Sequence, residues 1–149
     1  MVRVNIINQN RKKPIDKAAI LKAAKFTVTH IKPLCNVHIN LVYVSDTEIK
    51  KLNKKFKKRD VATDVLCFTY NDTLPWEKIK TFLNADIYIS SDRAKAQAKV
   101  FKTLPEEELF LYTVHGILHM LGYKDYTKQE FEAMKKKQEE ILNKFLGKK

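Results

Sequence analysis

The chain has 149 residues, and its lysines and arginines outnumber its aspartates and glutamates by twelve, 29 against 17. That length suits one domain, residues 1–149, with a single core, and 44% hydrophobic residues are enough to build it. No apolar run approaches the ~18–20 residues that span a bilayer, and the start, "MVRVNIINQNRKKP", lacks the apolar stretch of a signal peptide, so a cytoplasmic protein with no membrane role is expected.

A positive field of this size attracts polyanions and speeds their arrival, which makes RNA or DNA the expected partner. Lysine-rich surfaces also serve solubility, so charge alone leaves both readings open. The two cysteines, Cys35 and Cys67, form no CxxC pair and read as reduced, buried thiols.

In chain order, "VRVNII" (2–7) alternates and is β-branched, which predicts a strand. Residues 14–31 carry Ile15, Ala18, Ala19, Leu21 and Phe26 in helical order behind Pro14, which predicts a helix. "NVHINLVYV" (36–44) alternates as a strand with one buried face. A second helix over 45–56 opens at Ser45, with Glu48 three residues on as in a capping box. A polar loop (57–64) leads to a short apolar strand, "VLCFTY" (65–70), then an excursion over 71–82 containing Pro75. "ADIYIS" (85–90) is another strand, and a helix over 90–102 is capped by Ser90 or Ser91. The next helix, 104–121, starts at Pro105 with acids that suit its N-terminal dipole and ends at Gly122. Thr127 caps a last amphipathic helix over 127–146, whose "KKKQEE" run is a solvated face. Four strands and about five helices in mixed order predict an α+β fold with a single four-stranded sheet.

The stretch "HGILHMLGYKDY" (115–126) carries the chemistry. His115 and His119 are one helical turn apart, so their rings share a face, as two neighbouring metal ligands would. A straight helix cannot wrap round an ion. Gly122 lets the chain reverse, and Asp125 would then return toward both imidazoles. Two histidines and a carboxylate leave one zinc position open, as in catalytic sites. A helical histidine pair by itself is more often structural; with the glycine break and the returning carboxylate, the metal and structural readings both stay open. Gly116 stands where H-E-x-x-H metalloproteases place their general base, which argues against peptide hydrolysis. Its use is close approach of another backbone or of substrate, or plain helix packing.

"HGILHMLGY" resembles the H-G-x-L-H-L-x-G-Y-D-H motif of the YbeY family of metal-dependent endoribonucleases. "LNKKFKKRDVATDVLCF" (52–68) is similar to that family's L-N-x-x-Y-R-x-x-D-x-P-T-D-V-L-S-F segment, and "ADIYIS" to its G-D-I-x-I-S strand. The blocks keep order and spacing over residues 52–125. The resemblance implies a zinc site in a cleft of an α+β fold, with one Zn²⁺ on His115, His119 and Asp125. It implies ribosomal RNA as substrate, with 16S rRNA 3′ end processing and ribosome quality control as the setting and the small ribosomal subunit as a partner. Lys57, Arg59 and His115 are the catalytic set it implies: the metal polarises a phosphoryl oxygen or activates water, and the two cations bind the phosphate. Two other readings stay open, a non-catalytic rRNA- or ribosome-binding factor and a metal-dependent hydrolase of another substrate.

This chain departs from the motif in telling places. Asp125 takes the position of the final histidine and Lys124 that of the aspartate before it; Lys57 replaces an arginine, Cys67 a serine and Ala85 a glycine. Lys57 keeps positive charge for a phosphate but loses the fork of arginine. Of the remaining polar residues, Thr63 and Asp64 either shape the cleft or cap a turn, and Asp86 either orients a ligand histidine or serves a turn. His30 and His38 have no special role. Tyr123 and Tyr126 could stack on a base, but packing against the last helix is expected of them.

Overall fold

The computed structural model describes residues 2–31, 36–70 and 82–147. Its elements are β1 (Val2–Asn8), α1 (Lys17–Ile31), β2 (Asn36–Val44), α2 (Asp46–Lys57), β3 (Val65–Thr69), β4 (Phe82–Ser90), α3 (Ser91–Phe101), α4 (Pro105–Met120) and α5 (Lys128–Phe145). One mixed four-stranded sheet has the order β1-β2-β4-β3; β1, β2 and β4 run parallel, and β3 pairs antiparallel to β4 on the edge. The α+β expectation is thus met. Cys35 and residues 71–81 of the expected excursion lie outside the described residues.

Most boundaries follow the caps. Ser45 accepts the Glu48 N–H at 3.2 Å and Ser90 accepts that of Arg93 at 3.2 Å, so Ser90 rather than Ser91 is the cap. Helix α1 starts three residues after Pro14. The Asp16 carboxylate accepts the Ala19 N–H at 3.1 Å and so holds the first turn. Strand β4 begins at Phe82, three residues before the expected start at Ala85, because Asn36 to Asn40 pair with Phe82 to Asp86.

The sheet is covered unequally. One face, with Ile39, Leu41, Tyr43, Ala85, Ile87 and Ile89, packs on α1 and α4 in the main core. Among the described residues the other face is closed at one end, where Ile49 of α2 meets Val42, Val44 and Leu66. Strand β2 therefore buries both faces at its C-terminal end, against the single face its alternation predicted. The rest of that second face carries a polar row. Asn5 donates to Asn40 at 3.0 Å, Asn40 donates to Asp86 at 2.9 Å, and the Tyr70 hydroxyl donates to the same carboxylate.

Helix α4 is apolar on most sides because it is sandwiched. It packs on the sheet through Ile117 and Met120 and on α5 through Val114 and Leu118, which meet Met134 and Ile141. The Tyr43 hydroxyl hydrogen-bonds Thr113 at 2.6 Å and ties β2 to the middle of α4. Burial pushes the Tyr43 pKa up, so the phenol stays protonated. Gly116 lies at the closest approach of α4 to the sheet. A Cβ there would sit 2.6 Å from Ile87 Cγ2 and 3.0 Å from Val65 Cγ1. Its use is helix packing on side chains, not approach of a second backbone.

Candidate metal centre

Helix α4 ends as its sequence predicts. Gly122 has φ of +103°, beyond the reach of most side chains, and the Tyr123 N–H reaches back to the Leu118 carbonyl at 3.0 Å. The chain reverses and brings Asp125 to the histidines. One ligand atom from each of His115, His119 and Asp125 lies within 4.8 Å of the other two. The His119 Nε2 is 3.0 Å from His115 Nε2 and 3.6 Å from Asp125 Oδ2. Ligand atoms around a tetrahedral zinc stand ~3.3 Å apart, from bond lengths near 2.0–2.1 Å, and the two separations bracket that value.

The outer hydrogen bonds test the fit independently. His115 Nδ1 is 2.8 Å from Gln138 Oε1, and His119 Nδ1 is 3.1 Å from the Tyr123 carbonyl oxygen. Both partners are acceptors, so each neutral imidazole carries its proton on Nδ1. With both rings in that neutral form, the two Nε2 lone pairs face each other across 3.0 Å. That contact is repulsive alone and favourable round a cation. Burial, the largest influence, lowers the His115 pKa below the ordinary 6.5; the Gln138 hydrogen bond opposes it, and the neighbouring His119 adds to it. A neutral His115 is the form that binds a metal. The residues fit a divalent ion with nitrogen and oxygen ligands.

Two cavities flank this trio. A cleft of about 380 Å³ on the His119 side is lined by Lys57, Cys67, Gly122, Lys124 and Tyr126 among others. A smaller cavity of about 160 Å³ on the other side is lined by His115, Asp125, Phe131, Met134, Lys135 and Gln138. Lys57 thus reaches the cleft from the last turn of α2, and its Nζ lies 5.2 Å from the Phe68 ring centre. Arg59 is exposed and is not among the residues lining that cleft. Its backbone N–H is held by the Asn53 carbonyl at 3.2 Å, in the turn that Lys58 makes at φ of +57°.

Other expectations fare variously. Asp86 reaches neither histidine nor turn. It sits mid-strand, and its carboxylate is taken by Asn40 and Tyr70 in the polar row of the far face. Asp64 anchors the loop: its carbonyl accepts the Ser90 N–H at 2.9 Å, and its carboxylate lies 3.9 Å from Arg93. Thr63 is half-buried. Cys67 is half-buried and faces the cleft instead of being enclosed; burial pushes its thiol up to about 11, so it stays protonated and inert. Tyr123 packs with the α4–α5 cluster as expected, whereas Tyr126 does not and is 86% exposed. His30 pairs with Glu140 at 3.3 Å, and His38 meets Asn5 at 3.2 Å. Neither belongs to the trio.

Gln138 is the residue that sequence reasoning missed. A signal existed: it interrupts the apolar stripe of α5 between Met134 and Ile141, where a polar side chain needs a partner.

Comparisons with known proteins agree with this geometry. The profile of the family described as endoribonuclease YbeY matches residues 5–146. The chain is 34% identical over 129 residues to the endoribonuclease YbeY of Endomicrobium trichonymphae, covering 87% of this chain and 86% of that one. It is 34% identical over 143 residues to that of Acholeplasma laidlawii, covering 96% of each. The solution structure of a Thermotoga maritima protein superposes with a TM-score of 0.60 at 28% identity, covering 99% of this chain and 90% of that one. With the histidine pair, the returning carboxylate and a match of this extent, the chain belongs to the YbeY endoribonuclease family.

Proposed function

We propose that the whole chain acts as one zinc-dependent endoribonuclease domain that matures ribosomal RNA, 16S rRNA 3′ end processing included, at the small ribosomal subunit in the cytoplasm. The observation that carries the metal is the convergence of His115, His119 and Asp125, one ligand atom of each within 4.8 Å of the other two. Family membership carries the reaction. Among the described residues no helix is long and apolar enough to cross a membrane.

Lewis-acid activation of a phosphoryl oxygen and of the attacking water is the chemistry a zinc ion supplies there when bound. His115, His119 and Asp125 hold it, with His115 fixed in one tautomer by Gln138. Lys57, already in the cleft wall, takes the scissile phosphate and offsets charge that develops on it. Arg59 binds a neighbouring phosphate along the strand. Protein purified without added metal is expected to contain close to one zinc per chain. Chelation should abolish its cleavage of an rRNA precursor, and added zinc should restore it. Cleavage that survives complete metal removal would refute the reading.

A further inference from the structure

We infer that Tyr126 and Phe131 form a base clamp, one ring on each side of the metal trio, which stacks the two nucleobases flanking the cleaved linkage. The inference rests on the endoribonuclease reading. It starts from a helix cap that is only half made. Thr127 and Glu130 complete a reciprocal capping box at the start of α5, with hydrogen bonds of 3.1 and 3.0 Å. In such a cap, apolar residues just before the cap and at the fourth helical position pack on each other. Those residues are Tyr126 and Phe131, yet Tyr126 is 86% exposed and Phe131 50% exposed.

The two rings line different cavities instead. Tyr126 lines the large cleft with His119, Lys57 and Lys124. Phe131 lines the small cavity with His115, Asp125 and Lys135. Phe131 is half exposed in that cavity, beside the buried Met134. Each aromatic face therefore stands beside a different metal-ligand histidine and beside lysine. That is the composition of a single-stranded nucleic-acid site: a π-face for a base and a cation for the adjoining phosphate. The small cavity, about 160 Å³, falls below the ~300 Å³ of pockets that enclose whole small ligands. Bases splayed to either side of the trio cannot be paired, so the substrate is unstacked at the cut.

The test is binding of a short labelled single-stranded RNA, by fluorescence anisotropy, to zinc-loaded and to chelated protein. Tyr126→Ala and Phe131→Ala are each expected to weaken binding roughly tenfold, the loss of one base stack. Tyr126→Phe and Phe131→Tyr should restore binding, because either ring offers a π-face. The slope of binding against salt should stay as in wild type, since no phosphate contact is lost. Zinc content should also be unchanged. Replacing a base beside the cut by an abasic residue should weaken wild type roughly tenfold and leave the matching alanine variant no weaker. Alanine variants that bind the RNA as tightly as a wild type that does bind it would overturn the clamp alone. A wild type that binds no single-stranded RNA would overturn both the clamp and the reading beneath it.

Discussion

Replacing Gly116 by alanine adds a single methyl and sets two effects against each other. Alanine favours a helix interior over glycine by about 1 kcal/mol, so an open site would gain that much. The site is not open. The new Cβ would lie 2.6 Å from Ile87 Cγ2, and Ile87 is fully buried. That methyl sits on a β-branched carbon and cannot swing away without moving the side chain off its rotamer. Val65 Cγ1, 3.0 Å away, blocks the second direction. Overpacking of this kind costs about 1–3 kcal/mol, so the net expectation is a loss of up to about 2 kcal/mol. Helix α4 would yield by shifting away from the sheet, and the histidines one residue before and three residues after Gly116 would shift with it. Urea denaturation with zinc titration of the same variant measures both consequences. Ile87→Ala removes the clashing Cγ2 at a cost of about 2–5 kcal/mol by itself. Combined with Gly116→Ala it should show a coupling of about 1 kcal/mol or more. A Gly116→Ala protein that is more stable than wild type, with no coupling to Ile87, would refute the packing argument.

Four further outcomes follow from the site. Gln138→Leu removes the acceptor at 2.8 Å from His115 Nδ1 and should lower zinc affinity about 10–100-fold with unchanged circular dichroism. Asp125→Ala should weaken zinc retention and cleavage, and Asp125→His should strengthen one or both, because imidazole reaches further and leaves the ion more electrophilic; zinc titration with cleavage of one RNA compares the three proteins. Changing Lys57 and Arg59 together to alanine should flatten the dependence of log K on log salt by about one unit per lost phosphate contact, measured by RNA binding from low to moderate salt. The metal-free protein should lose stability on acidification. His115 has a folded-state pKa below the ordinary 6.5, so its contribution is complete above 6.5 and is lost as the pH falls from there to the lowered value; denaturation midpoints compared with those of His115→Gln isolate that share.

The order of the elements was legible because caps and alternation are local. Ser45, Ser90, Thr127 and Gly122 act within four residues of themselves, and each marks its boundary in the structure. The grouping of His115, His119 and Asp125 was legible for the same reason: the three lie within eleven consecutive positions, and one glycine turn brings them together. What was missed depends on long-range pairing. Gln138 meets His115 across 23 residues, and Asn40 meets Asp86 across 46. Asp86 carries no local mark of which sheet face it will take. Its register opposite Asn40 assigns it to the polar row, away from the histidines. Tyr126 illustrates the converse. Its place before a capping box predicts packing, and only the three-dimensional path after Gly122 turns the ring into the cleft.

The exchange of ligand at position 125 reads differently once its neighbour is counted. Three neutral imidazoles leave a zinc ion with a formal charge of about +2, and two imidazoles with a carboxylate leave about +1. On that basis alone this chain would hold a weaker electrophile. The family motif, however, places an aspartate just before the third ligand, and this chain places Lys124 there, in the same cleft as Lys57 and His119. Summed over ion, ligands and that neighbour, the motif carries about +1 and this chain about +2. Positive charge has moved from the ion to a side chain a residue away. A charge on the ion acts on the reacting oxygen, while a charge on a flexible lysine acts on any phosphate entering the cleft. With zinc bound as proposed, the substitution pair would trade activation for attraction: weaker polarisation at the metal, stronger capture of the RNA backbone beside it. Both residues must be exchanged together to recover the motif's balance. Asp125→His alone would leave Lys124 facing a fully charged ion, and the repulsion would subtract from what the better ligand adds.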